Sequence, residues 1–191
     1  MLADLFMNHV YGKTGLYYKK FNKIGKGSRI WYPCITDSRD YISMGANSQI
    51  LQNSRIWSYQ IDGHKQPYVT IGDGCYLGYH LSILVADDVT IEDNVLMAAG
   101  ILITTENHGM DPESDIPYMD QPLSAAPVHI KEGCWIGEKV VIMPGVTIGK
   151  KCIIGAGSVV THDIPDYSIA VGSPAKVIKT YDFDKHEWVK I

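Results

Sequence analysis

One stretch of this chain has a rhythm that leaves few folds open. Ile130 to Pro165 reads IKEGCW, IGEKVV, IMPGVT, IGKKCI, IGAGSV, VTHDIP. Each hexapeptide opens on Ile or Val: Ile130, Ile136, Ile142, Ile148, Ile154 and Val160. Four positions later stands a second small or apolar residue: Cys134, Val140, Val146, Cys152, Ser158 and Ile164. An α-helix would smear this spacing around its axis, because its period is 3.6. A strict period of six belongs to a coil of parallel strands, in which each hexapeptide is a short strand plus a turn. Three such units make a rung, with the leading aliphatic inside and the i+4 residue small enough to share the interior. Gly and Asn take the tight corners. Rungs stack at about the ordinary strand spacing of 4.8 Å, so Ile136 lies under Ile154, Val140 under Ser158 and Cys134 under Cys152.

The same rhythm can be traced upstream. It starts at Ile24 and Ile30, slips through 33–43, and resumes at Met44, Ile50 and Ile56. A loop at 61–68 intervenes before Ile71, Leu77, Ile83 and Val89. Two extra residues move the register to Ile91, Met97 and Ile103. The pattern then stops over 105–127, TENHGMDPESDIPYMDQPLSAAP, a segment with four prolines and several acids. Loops of that length inside a compact domain are usually functional. The expected organisation is an N-terminal cap or arm over 1–23, a coil over 24–165 that extrudes the loop 105–127, and a C-terminal strand and tail over 166–191. The tail itself reads equally as a short helix or a strand. Capping segments are what repeat coils require.

Composition closes off several classes. The formal charge is −4, against the basic face of a nucleic-acid binder. No apolar run reaches a membrane span, and the first residues lack a signal-peptide core, so the expected location is cytoplasmic. Six Lys or Arg face one acid over residues 1–30. That excess reads as a solvated face, or as peripheral attraction to an anionic membrane. Cys34, Cys75, Cys134 and Cys152 have no metal spacing, and three of them occupy the inward i+4 position. They read as buried free thiols acting as small hydrophobes. No metal is expected.

The repeat, loop and terminal motifs together resemble the hexapeptide-repeat acyltransferases, and among them the galactoside, maltose and polysaccharide O-acetyltransferases. The carriers are ITTENHG at 103–109, MDQPL at 119–123, APVHIKEGCWIGEKVVIMPGVTIG at 126–149, IGAGSVVTHDIP at 154–165 and AVGSPAKVI at 170–178. The resemblance implies an all-β, left-handed parallel β-helix, an exception to the usual right-handed crossover. It also implies acetyl-CoA as donor, a sugar or glycan acceptor, and a homotrimer with active sites between neighbouring coils.

On this resemblance His108 aligns with the family's catalytic His. An imidazole near its reference pKa of about 6.5 suits removal of a hydroxyl proton during attack. Glu106, Asn107 or a backbone carbonyl is the group that orients it. No Ser or Cys stands in a nucleophile motif, so transfer is expected to be direct. His80 stands where such enzymes commonly have an Asn that holds the acceptor. It reads either as an acceptor contact or as an outward corner residue. Tyr118, Met119, Asp120 and Gln121 are candidates for the rim of the acceptor pocket, and Asn107 for a contact to it.

For the donor, Gly155, Ala156, Gly157 and Ser158, with Gly137 one rung below, offer an edge along which backbone amides approach a pantetheine arm. They or others nearby are candidates for the oxyanion donor. Trp135 faces outward as a wall of the CoA groove or as trimer packing. Thr161, Lys176 and Lys179 match positions near the nucleotide, whereas His162 replaces a Lys that relatives often carry. His9, His64, His129 and His186 carry no motif. The competing functions are N-acetylation of an amino sugar nucleotide or xenobiotic on the same scaffold, and a non-catalytic coil. A zinc-dependent carbonic anhydrase on a similar coil needs a His pair five apart, which is absent.

Overall fold

The computed structural model describes residues 20–191, so residues 1–19, His9 and most of the expected N-terminal cap lie outside it. The described chain winds as a left-handed parallel β-helix of two- to five-residue strands. Three parallel ladders form its faces. The first stacks Ile42–Met44, Val69–Ile71, Val89–Ile91, Val128–Ile130 and Thr147–Ile148 on Lys23–Ile24. The second runs from Arg29–Ile30 through Trp135–Ile136 to Ile153–Ile154 and Ser168–Val171. The third runs from Cys34–Thr36 to Val159–Val160.

The leading aliphatics fill the interior. Ile50, Ile56, Leu77, Ile83, Met97, Ile103, Ile130, Ile136, Ile142 and Ile148 are all completely buried. The i+4 residues join them, and they do more than fill space. Ser28 Oγ donates to Gly45 O at 2.5 Å, Ser48 Oγ to Gly72 O at 2.7 Å, and Cys75 Sγ to Glu92 O at 3.0 Å. Higher up, Cys134 Sγ donates to Gly149 O and Cys152 Sγ to Pro165 O, each at 2.9 Å. Except at Val95, which carries no donor, this column of Ser and Cys ties each first corner to the turn carbonyl above. This corrects the picture of the thiols as mere hydrophobes. All four cysteines are free and buried.

Rungs are not all 18 residues long. Inward residues stacked on the second face are Ile30, Ile50, Leu77, Met97, Ile136 and Ile154, giving steps of 20, 27, 20, 39 and 18 residues. Every excess falls at one corner, between a third-face strand and the first-face strand of the next rung: after Thr36, after Ile56, after Ile83 and after Ile103. The other two corners keep the six-residue spacing. Apart from Pro33, their third residue after the inward aliphatic has positive φ: Asn53, His80, Gly100, Lys139 and Gly157 at the second corner lie between 56° and 72°. Asn, His and Gly tolerate that region better than most residues.

The outward faces differ in chemistry. Ser43, Thr70, Thr90, His129 and Thr147 form a polar column on the first face. On the second, Tyr76, Leu96, Trp135, Ile153 and Ile169 form an apolar one. Leu102, Val141 and Val159 continue an apolar column on the third. The tail takes the strand option: Lys176–Asp182 and Glu187–Lys190 form an antiparallel hairpin on the edge of the second face. No helix among the described residues is long and apolar enough to cross a membrane.

Candidate active site

The widest interruption is anchored at its first residue. Thr105 is fully buried. Its Oγ1 accepts the Ala86 and Asp87 amides at 2.8 and 3.0 Å, and its own amide donates to Leu84 O at 3.1 Å. The next two residues, Glu106–Asn107, pair antiparallel with Ser124–Ala125, so the loop leaves and re-enters through a short ribbon. His108 stands exposed at the open end of that ribbon. Glu106 lies two residues before His108, which falls just past the paired residues. The Tyr59 hydroxyl donates to Glu106 Oε2. Burial pushes the Glu106 carboxyl up, and the charge of His108 opposes that rise.

Beyond His108 the loop folds on itself around Gln121. Its Nε2 donates to Asp111 O and Ile116 O, and its Oε1 accepts the Asp111 amide, each at 3.0 Å. A Cβ at Gly109 would meet Gln121 Cβ at 2.6 Å, so the glycine is required for this closure. The loop encloses an open cleft of about 260 Å³ lined by Asp111, Asp115, Ile116, Pro117, Tyr118 and Gln121. Tyr118, Met119 and Asp120 form a 3-10 turn and are exposed. Gln121 is buried, with both amide hydrogens committed. That corrects its expected place on the rim: it is the strut of the loop.

The small-residue edge lies at the second corner, one face away. The coil itself uses most of its amides: Gly137 N donates to Ile154 O, Gly155 N to Ala170 O, Gly157 N to Glu138 O and Ser158 N to Gly155 O. Among the described residues, Ala156 is the member of this edge whose amide the coil leaves free. Ser158 is fully buried, its Oγ donating to Gly155 O at 2.7 Å and accepting the Gly172 amide at 3.0 Å. Gly137 is buried too, and a Cβ there would strike Ala156 N at 2.6 Å. Both expectations are therefore corrected, Ser158 being interior and Gly137 a close-packing position. Gly157 differs, with φ +70° and nothing within 4 Å of a would-be Cβ. Its surface is open to a ligand chain.

The remaining predicted residues spread over several surfaces. Trp135 is outward on the second face and 52% exposed. Lys179 lies opposite Ile169, and Lys176 opposite Val171, in the terminal hairpin. Thr161 is exposed, its Oγ1 2.9 Å from His162 Nδ1. His80 is exposed at the second corner, its amide donating to Gln52 O at 3.1 Å. One chain thus brings Glu106, Asn107, His108, Tyr118 and Asp120 to the third corner. It leaves His80, Ala156 and Gly157 at the second. A face of roughly six residues, about 20 Å at 3.3 Å per residue, separates them. Sequence reasoning missed Tyr59 and Thr105. The one available signal was that Tyr59 opens the second-longest interruption, at what proves to be the same corner.

Burial pushes the Cys75 thiol up, and hydrogen bonding to Cys152 together with burial raises Cys134. Neither is a nucleophile in this state. No group of three His, Cys, Asp or Glu among the described residues is placed to hold a metal.

A parallel coil of six-residue units defines a hexapeptide-repeat protein. Comparisons with known proteins agree. Residues 127–162 match the bacterial transferase hexapeptide (six repeats) family, and residues 68–105 the hexapeptide repeat of succinyl-transferase. WbbJ of Escherichia coli, named for lipopolysaccharide biosynthesis O-acetyl transfer, is 30% identical over 167 residues, 84% of this chain and 83% of that protein. Galactoside O-acetyltransferase of Escherichia coli is 40% identical over 123 residues, 64% of this chain and 59% of that one. Other matches take in 36% and 55% of the relative, so the chain spans about half the length of several curated relatives. The fold is shared with AntD, an N-acyltransferase from Bacillus cereus solved with dTDP and coenzyme A, at a TM-score of 0.78 and 22% identity over 94% of each chain. The chain belongs to the hexapeptide-repeat acyltransferases.

Proposed function

We propose that the protein is an O-acetyltransferase that moves an acetyl group from acetyl-CoA to a sugar hydroxyl, on a cell-surface polysaccharide or its precursor. The observation that carries this reading is His108, exposed on a rigidly rooted ribbon at the mouth of the longest interruption. His108 takes the acceptor's hydroxyl proton as its oxygen bonds to the thioester carbonyl carbon. The C–S bond then breaks, and the CoA sulfur takes the proton back from the imidazolium. Ester and CoA thiol are the products, with no acyl-enzyme, in keeping with four buried thiols. The relatives named for galactoside and lipopolysaccharide O-acetylation support the acceptor class.

Ala156 and Gly157 fit a pantetheine arm by the free amide and the open Cβ position. Because they lie a face away from His108, the complete site needs a second coil. Two apolar outward faces support the trimer proposed here: a column such as Tyr76, Leu96 and Trp135 is stabilised by cover from a neighbour. Sedimentation at micromolar concentration is expected to give a trimer, and a monomer would contradict it. The activity is tested by CoA release from acetyl-CoA with nucleotide-linked and lipid-linked sugars. Release that requires a sugar hydroxyl is expected. Release only with amino sugars would favour N-acetyl transfer, and absence of both CoA binding and release would leave a scaffold.

A further inference from the structure

The first and second corners of the coil differ in charge. Asp73, Glu92, Asp93, Glu132 and Asp166 all stand at the first. Carboxylates there also cap amides that the coil leaves over. Asp73 Oδ1 accepts the Ala46 amide and Asp93 Oδ1 the Asp73 amide, each at 2.7 Å, and Asp166 Oδ1 accepts the Lys150 amide at 2.9 Å. The lower second corner, 31–34, 51–54, 78–81 and 98–101, holds no carboxylate. Its matching amides, at Gln52, Tyr79 and Ala99, are left unpaired by the coil.

Two arginines flank this acid-free stretch. Arg29 precedes the corner of the first rung, on the second face, and its Cζ lies 3.7 Å from the centre of the Trp31 ring. Trp31 is itself braced, its Nε1 donating to Gln49 Oε1 at 3.2 Å. Arg55 follows the corner of the next rung, on the third face, where its Nε donates to Ser82 Oγ at 2.7 Å. Neither arginine has an ion pair among the described residues. Gln52 belongs to the same corner, and its Oε1 is buried without a hydrogen-bond partner. Native structures leave few such atoms, so the corner is polar and incompletely satisfied by the chain itself.

We propose that the lower half of the second corner is an anion subsite, in which Arg29, Arg55 and the Gln52 and Tyr79 amides hold the phosphate or diphosphate on which the acceptor sugar is carried. The proposal rests on the reading of the protein as a sugar acetyltransferase with its donor on Ala156 and Gly157, higher on the same corner. An anion on the lower rungs and a pantetheine arm on the upper ones put the carried sugar between them, where two substrates must meet end to end. Guanidinium groups and unpaired amides are the donors that suit phosphate oxygens. The Gln52 and Tyr79 amides lie one rung apart, about 4.8 Å, a span that the oxygens of two linked phosphates cover and those of one carboxylate do not. A neutral glycan would leave both arginines without a counter-charge.

The test is calorimetric titration of inorganic pyrophosphate into the full-length protein saturated with CoA, which keeps the probe off the donor's own phosphate contacts. Binding to the wild type is expected. Arg29→Gln and Arg55→Gln should each weaken it about tenfold, the loss of one charge-assisted contact, and leave affinity for CoA unchanged. Arg55 is exposed, so its variant reads the subsite even if Arg29→Gln does not fold. No binding to the wild type, or wild-type binding by folded Arg55→Gln, would overturn the subsite. A matching loss of CoA affinity would overturn it too, because the arginines would then serve the donor. Kinetics identify the carrier: CoA release is compared for one sugar supplied free, as its 1-phosphate, on a nucleoside diphosphate and on a polyprenyl diphosphate. The KM of a phosphate-bearing form should lie at least about tenfold below that of the free sugar, and Arg55→Gln should erase the advantage. The diphosphate form with the lower KM is the carrier. Equal KM for free and phosphorylated sugar would contradict the subsite and leave acetyl transfer standing. Absence of CoA release with every sugar would instead overturn the acetyltransferase reading, and the pyrophosphate titration separates the two failures.

Discussion

Between Ile136 and Ile154 the coil advances one rung in 18 residues; between Met97 and Ile136 the same rise takes 39. The inward residues of both regions are apolar, with Ile103 and Ile142 stacked at full burial on one face. What differs is the third corner, where the longer rung detours through 105–127. Stacking fixes the two ends of each detour, so its length adds little entropic cost: each doubling of a loop adds only about 0.6 kcal/mol. The coil thus tolerates insertions where both flanking strands are already paired. All of them accumulate at one corner, where a second-rung side chain can meet a fourth-rung one. The regular region supplies stability, and the interrupted corner supplies the proposed chemistry.

This contrast can be broken from either side. The largest effect is expected from cutting the detour. Replacing 110–120 by a short glycine linker between Gly109 and Gln121, whose Cβ position and side chain already touch, should lower sugar-dependent turnover by about 10² or more. Thermal unfolding of the coil should barely move. Conversely, Ile136→Ala in the regular region is expected to cost about 2–5 kcal/mol in denaturant unfolding, since Ile136 is completely buried. Turnover per folded molecule should stay near wild type. Ser48→Ala comes next. Its Oγ donates to Gly72 O at 2.7 Å and accepts the buried Cys75 amide at 2.9 Å, so about 1–3 kcal/mol should be lost.

The smallest effect is one of pH. Burial raises the folded Glu106 pKa above its ordinary 4.5. Between those two values the native state binds more protons than the unfolded one, so unfolding free energy falls as pH rises through that window. Glu106→Gln should remove that slope. Chemical denaturation of both proteins across mildly acidic pH reads it, and an identical slope would show that the carboxyl contributes nothing.

The regular region was legible because its signal is local and repeated. Each of Ile130, Ile136, Ile142, Ile148 and Ile154 lies six from the next, and no helix fits that spacing. The same rule also placed Ser158 inside, since it stands at i+4 like Val140, so putting it on a ligand edge conflicted with the repeat. The third corner was legible only as an absence of rhythm. That Gln121 wraps its amide around Asp111 and Ile116 depends on how the loop folds back, and no periodicity encodes it. The Tyr59–Glu106 contact joins two interruptions, each of which looks like ordinary loop alone. His80 shows the remaining ambiguity. Its φ of 58° is shared by Asn53 and Lys139 in the same column, so a turn requirement alone explains why a residue tolerant of that region stands there.

The measurement that tests the account most directly is sugar-dependent CoA release by His108→Ala beside wild type, with circular dichroism confirming the coil. The account predicts a loss of about 10² or more in a protein that stays folded and keeps its affinity for CoA. Turnover near the wild-type value in that folded variant would contradict it and move the chemistry away from the interrupted corner.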